Sequence, residues 1–100
     1  MSRGIFFDPE ARLELENAIL WYNDQKPGLG FEFEIAVYDL CRVIAQNPHR
    51  FRLVSNTVRI ARLKRFSRFA VYFDVGTDSI GVVAVFHSKR NPDQLSRRLG

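Results

Sequence analysis

The spacing of apolar residues changes once along this 100-residue chain, from helical to nearly alternating. From residue 11 to residue 44 the apolar positions recur every three or four residues, as on one face of an α-helix. From residue 58 they recur at almost every second position, as in a strand. Such a chain must pack helices against a sheet, and its length suits one domain, residues 1–100, around a single core.

Two helices are predicted in the first half. Asp8, Pro9 and Glu10 supply an N-cap oxygen, a proline for the first helical position and an acid near the positive helix end. The first helix is expected to bury one stripe, formed by Ala11, Leu15, Ala18, Ile19 and Tyr22, and to expose Arg12, Glu14, Glu16 and Asn17. After a turn at residues 27–30, the second is expected to bury Phe33, Val37, Leu40, Cys41 and Ile44 and to end near Asn47-Pro48.

Four strands are predicted, at residues 5–7, 58–63, 69–75 and 80–86. The last is apolar on both faces and is therefore expected at the centre of the sheet. A basic loop at 49–56 and a terminal helical turn starting near Asn91-Pro92 complete the pattern. The fold class is α+β, in the order β-α-α-β-β-β, with a helical hairpin on one face of a largely antiparallel sheet and bases and aromatics on the other.

Composition excludes several classes of function. No apolar run approaches the roughly 20 residues of a membrane span, so we expect a cytoplasmic protein without a membrane partner. The single cysteine, Cys41, has apolar neighbours and is expected in the core. The sequence contains no spacing of metal ligands, no nucleophile motif and no glycine loop for phosphate, so neither a metal nor a cofactor is expected.

Charge is divided unevenly along the chain. Residues 1–39 carry three bases and eight acids, a net charge of −5, whereas residues 40–100 carry twelve bases and three acids, a net charge of +9. Between Asp39 and Asp74 there are eight bases and no acid. This asymmetry predicts an anionic partner for the second half, which could be a phosphate backbone or an acidic protein surface.

Two further features are candidates for function. Leu13, Leu20 and Trp21 lie outside the apolar stripe of the first helix, where they could cover a partner, permit a homodimer or wrap the edge of the sheet. The exit of the last strand, residues 85–90, places His87 beside two bases. Its imidazole titrates near neutrality and suits proton transfer, although a histidine at a strand end also commonly has a structural hydrogen-bonding role.

Motifs in order along nearly the whole chain resemble those of the RelE/ParE superfamily of toxins. They lie at residues 18–22, 27–30 with Phe33, 47–48, 63–73 and 84–92. The closer likeness is to the ParE branch, often labelled plasmid stabilisation proteins. The resemblance implies the growth-inhibiting toxin of a type II toxin–antitoxin module, with an acidic antitoxin as its partner.

Within that superfamily some ParE toxins act on DNA gyrase, whereas RelE toxins cleave messenger RNA at the ribosome. If this chain were such a metal-independent endoribonuclease, His87, Arg90 and Arg68 would be its catalytic residues. RelE toxins, however, carry a tyrosine a few residues after the basic pair, where this chain has Leu95-Ser96. The difference favours a non-catalytic inhibitor of a protein target such as gyrase, with the ribonuclease and a non-toxic binding module as alternatives.

The residues expected to bind the target or the antitoxin are all basic, namely Arg59, Arg62, Lys64, Arg65, Arg68, Lys89 and Arg90. Replacing Lys89 or Arg90 by alanine is expected to reduce toxicity and to leave the melting temperature nearly unchanged, as surface substitutions normally do. The oligomer could be a homodimer or a toxin–antitoxin hetero-oligomer.

Overall fold

The structure, a computed structural model, describes residues 3–99. In chain order its elements are β1 (Gly4–Phe7), α1 (Pro9–Gln25), α2 (Leu29–Gln46), a 3₁₀ turn (Pro48–Arg50), β2 (Arg52–Leu53), β3 (Val58–Arg62), β4 (Phe69–Val75), β5 (Ser79–His87) and α3 (Pro92–Leu99). The strands form one sheet in the order β1-β5-β4-β3-β2. Among the described strands, β1 and β5 are the only pair in parallel. The predicted α+β class is therefore confirmed.

The last strand, β5, lies inside the sheet as its apolar sequence predicts. It pairs antiparallel with β4 over residues 80–87 and parallel with β1. Because β1 is short, it reaches only residues 79–82 of β5. The second half of β5 thus has a strand on one side only, and its other edge must be satisfied by other groups.

The main core lies between the sheet and the α1–α2 hairpin. Ala11, Leu15 and Ala18 of α1 are buried, and the rest of the predicted stripe packs against them half-buried. On α2 four of the five predicted positions are buried and Leu40 is half-buried. Burial raises the pKa of the Cys41 thiol to about 11, so that this group is an uncharged core residue at neutral pH.

The two helices approach closely at Gly30. A Cβ there would lie 2.1 Å from the carbonyl oxygen of Ile19, and the Gly30 N–H donates to Asn23 Oδ1 at 2.8 Å. Only glycine fits this contact, because any side chain would force the helices apart. Gly28 makes the preceding turn with a φ of 89°, in the left-handed region.

Three local expectations need correction. Asp8 precedes α1 but its side chain makes no cap hydrogen bond; instead its N–H donates to the Val82 carbonyl oxygen at 2.9 Å. Part of the predicted loop 49–56 is the two-residue edge strand β2. The terminal turn is the two-turn helix α3, which buries Leu95 against Ala84 and Phe86 and so covers part of the second face.

An aromatic cluster joins the hairpin to the β3–β4 connection. Tyr22, Phe33, Phe66 and Phe69 pack with ring centroids 5.0–6.0 Å apart. Such contacts contribute beyond area burial, by about 1 kcal/mol for a good pair. The cluster fixes the connection that carries Arg68, at the end of the sheet where β5 finishes.

Candidate functional site

Hydrogen bonds hold the end of β5 and the turn that follows it. The Ser88 N–H donates to the Arg68 carbonyl oxygen at 2.7 Å, and the Arg90 N–H donates to the His87 carbonyl oxygen at 3.1 Å. The His87 Nδ1 accepts from the Lys89 N–H at 3.0 Å. The predicted segment 85–90 is therefore the end of β5 followed by an ordered turn at residues 88–90, and one nitrogen of the His87 imidazole already accepts a hydrogen bond.

The free edge of β5 is satisfied by the carboxylate of Glu14. Its Oε1 accepts the Val85 N–H at 3.0 Å, and the Arg98 guanidinium makes a two-pronged contact at 2.7 and 3.0 Å. Arg90 completes the set with a salt bridge to Glu14 Oε2. Arg98 also donates to the Val83 carbonyl oxygen. One carboxylate thus ties α1, β5, the exit turn and α3 together.

Glu14 is ionised in this setting. Only 10% of its side chain is exposed, and burial alone would raise its pKa. The hydrogen bonds from Arg98, the Val85 N–H and Arg90 outweigh that effect and lower the pKa below its ordinary value. The sequence-based expectation that Glu14 is solvent-exposed is wrong. A signal was available, because Glu14 lies three residues after Ala11 and four before Ala18, on the border of the buried stripe.

Beside this network a groove of about 570 Å³ opens between α1 and the end of β5. We call it the α1–β5 groove; it is lined by Glu10, Leu13, Glu14, Asn17, Ala18, Trp21, Phe69, Val85, His87 and Arg90. Leu13 and Trp21, for which the sequence left a partner contact and a sheet-edge contact open, are exposed and form its outer wall. Apolar walls with a few convergent charged and polar groups are typical of a binding site.

A smaller basic pocket, of about 220 Å³, lies on the second face of the sheet. It is lined by Arg62, Arg68, Ala70, Tyr72, Phe86, Ser88, Arg90, Pro92 and Leu95. Arg90 borders both cavities, with its guanidinium carbon 4.4 Å from the centre of the Phe86 ring. The basic pocket contains three guanidinium groups and no lining acid.

The three residues assigned to catalysis are not collected in one cavity. His87 lines the α1–β5 groove, where its ring packs edge-on against Phe69 at 4.9 Å. Arg68 lines the basic pocket, and Arg90 reaches both. Burial, with the nearby charges of Arg68 and Lys89, lowers the pKa of His87 and favours its neutral form at pH 7.

The other basic residues predicted to bind the target or the antitoxin differ in whether their charges are already paired within the fold. Arg59 donates to the Phe51 carbonyl oxygen at 2.6 Å, and Arg65 pairs with Glu32 at 2.6 Å, so both support the fold. Lys64 and Lys89 are exposed, and within residues 3–99 neither makes a salt bridge. The predicted basic surface therefore divides into structural and available cations.

The described residues were compared with the requirements of a metal site and of a membrane span. Within residues 3–99, no three His, Cys, Asp or Glu side chains are grouped so that they could hold a metal ion. Across the same residues no helix has the length and apolar character needed to span a bilayer.

No protein-family model and no curated protein sequence matches the chain. The fold does match a solved structure described as the chromosomal ParDE TA system from P. aeruginosa, with a TM-score of 0.75. That match covers 86% of this chain and 96% of the other, at 14% sequence identity. The likeness confirms the ParE-like toxin fold that the motifs imply, and it concerns the fold alone.

Replacing Glu14 by glutamine is expected to lower the free energy of unfolding at pH 7 by about 2 kcal/mol, because two arginines lose their buried counter-charge. For a chain of this size the melting temperature falls by roughly 10 °C. Since the folded pKa of Glu14 is lowered, its contribution is complete above the ordinary value of 4.5 and is lost as pH falls through the folded pKa.

Thermal unfolding from pH 3 to pH 8 measures this effect, with Glu16→Gln as the matched control. Glu16 is exposed on the same helix and makes no salt bridge within the described residues. A wild-type advantage over Glu14→Gln that stays constant down to pH 3 would contradict the assigned role.

The variants Arg90→Ala and Lys89→Ala are expected to differ in melting temperature. Arg90→Ala removes the salt bridge to Glu14 and the contact with Phe86, so we expect a loss of about 1 kcal/mol and a melting temperature about 5 °C lower. Lys89→Ala is expected to change it by no more than about 2 °C. The structure thus revises the sequence-based expectation for Arg90 and keeps it for Lys89; equal melting temperatures for the two variants would contradict the revision.

Proposed function

We propose that this chain, which has the fold of a ParE-like toxin, is the toxin of a type II toxin–antitoxin module. It inhibits growth by binding a protein target such as DNA gyrase, and an acidic antitoxin neutralises it. The observation that carries the proposal is the α1–β5 groove, with its exposed apolar wall beside a basic pocket, in a fold shared with a ParDE structure.

The groove has the chemistry of a site for an amphipathic peptide. Leu13 and Trp21 offer apolar contact area. The charge of Arg90 at this site is balanced by Glu14, so the positive surface lies beyond the groove, at Lys89 and in the basic pocket. A segment of an acidic antitoxin would bury apolar residues against α1 and direct its carboxylates toward that positive surface.

A non-catalytic mechanism fits the placement of the titratable groups. His87 shares the groove with one cation, Arg90, which is paired with Glu14, whereas Arg62 and Arg68 line the pocket on the second face of the sheet. A general base and the cations that would stabilise a phosphorane must contact the same reacting group. Their separation supports a toxin that acts by binding.

The second candidate function is a RelE-like endoribonuclease, and the basic pocket is the observation that favours it. Tyr72 lies in this pocket with Arg62, Arg68 and Arg90, so a tyrosine and three cations share one cavity without the downstream tyrosine of RelE toxins. In this candidate ribonuclease, Tyr72 would transfer the proton and His87 would not be needed.

Two assays on the purified chain decide between these functions. We expect inhibition of gyrase supercoiling and no new cleavage sites when an in vitro translation reaction is probed by primer extension. Cleaved transcripts with unaffected supercoiling would favour the ribonuclease, and Tyr72→Phe, which removes one hydroxyl, would then abolish cleavage. Induction that leaves growth unaffected would support the non-toxic binding module.

Binding of an antitoxin in the groove is expected to change the fluorescence of Trp21, the only tryptophan of the chain. Burial of this indole should shift its emission to shorter wavelength when the small acidic protein encoded beside the toxin gene, in a variant without tryptophan, is titrated in. Leu13→Gln is expected to weaken binding roughly tenfold, because it truncates the groove wall. The control Leu53→Gln changes an exposed leucine on β2. Tight binding with unchanged Trp21 emission would exclude the groove as the antitoxin site.

A further inference from the structure

A second apolar surface lies on the outer face of the α1–α2 hairpin. Leu20 and Phe31 are each 63% exposed, and Ile35 is 47% exposed. None of the three lines the α1–β5 groove or the basic pocket. We call these three residues the hairpin patch.

The members of the patch are neighbours because of the close helix crossing. Gly30 packs against the backbone of Ile19, so Leu20 and Phe31 each lie one residue from the crossing, and their exposure places them on its solvent side. Ile35 follows Phe31 by four residues and therefore lies one turn further along the same face of α2. The patch thus spans both helices of a rigid hairpin.

The patch has an acidic rim. Glu16 and Asp24 lie one turn to either side of Leu20 on α1 and are exposed, and Glu34 lies beside Ile35 on α2. Within residues 3–99 none of these three acids makes a salt bridge. Asp39, further along α2, is neutralised by Arg42. One base, Lys26, lies at the hairpin turn, so the three acids still give the rim a net negative charge.

We propose that the hairpin patch is the surface by which this toxin docks on its protein target, and that the target presents an apolar surface rimmed by lysine and arginine. This inference rests on the proposed function. The acidic rim selects that chemistry, because negative charges around an apolar centre attract cations and repel a nucleic acid or an anionic membrane. It also opposes a second copy, since a two-fold contact would bring like rims together.

The patch borders the groove but shares no residue with it. Leu20 points about 100° away from Trp21, and it lies two turns along α1 from Leu13, which points nearly the same way. Neither Leu20 nor Phe31 lines the groove, so a change in the patch leaves the lining residues of the groove in place. Target docking and antitoxin binding are thus tested by separate variants.

The test compares toxicity of variants upon induction, at equal expression and with the melting temperature measured for each. The double variant Leu20→Gln and Phe31→Gln truncates the patch; its control is Phe6→Thr, at a β1 residue that is 66% exposed. The double variant Glu16→Lys and Asp24→Lys reverses the rim; its control is Asp78→Lys, in the exposed β4–β5 turn.

Both double variants are expected to need roughly tenfold more inducer for the same growth inhibition, with melting temperatures close to that of the wild type. The two controls are expected to remain as toxic as the wild type. Both double variants are also expected to produce the same shift of Trp21 fluorescence with the antitoxin, because the groove is unchanged.

Full toxicity of the patch variant would overturn the inference while leaving the proposed function in place. Full toxicity of the rim variant would show that the partner is not basic. If light scattering finds a wild-type dimer that the patch variant dissociates, a second copy covers the surface and the inference is wrong. A wild-type chain that does not inhibit growth would remove the proposed function, and this inference with it.

Discussion

The fold depends on how the uncovered half of β5 is completed. β1 is too short to pair beyond residue 82, and an open strand edge inside a small domain leaves backbone groups that water or another chain would have to satisfy. Here a carboxylate and a guanidinium replace the missing strand, since Glu14 binds the Val85 N–H and Arg98 binds the Val83 carbonyl oxygen. This exchange fixes where α1 and α3 lie.

The same ion cluster shapes both cavities at the end of the sheet. Because Glu14 draws Arg90 inward, the guanidinium of Arg90 separates the α1–β5 groove from the basic pocket and borders each. A buried charge pair of this kind contributes modestly to net stability, but losing one partner is costly. The network therefore acts mainly to place the side chains around the site.

Acidic and basic surfaces suit different partners on one small chain. The basic pocket presents cations on the sheet side, and the hairpin patch presents apolar side chains within an acidic rim. Electrostatic complementarity of this kind selects partners and speeds their encounter more than it adds affinity. A protein that binds two partners of different chemistry gains from surfaces of opposite charge.

The sequence alone determined the elements and their order, because apolar spacing follows from which face of each helix or strand meets the core. It also placed β5 inside the sheet and identified the exit at residues 85–90. Only the tertiary structure decided that Glu14 is buried, that Arg59, Arg65 and Arg90 are engaged within the fold, and that His87 and Arg62 line different cavities. Those outcomes depend on contacts between residues distant in sequence, such as Glu14 with Arg98, which no local pattern encodes.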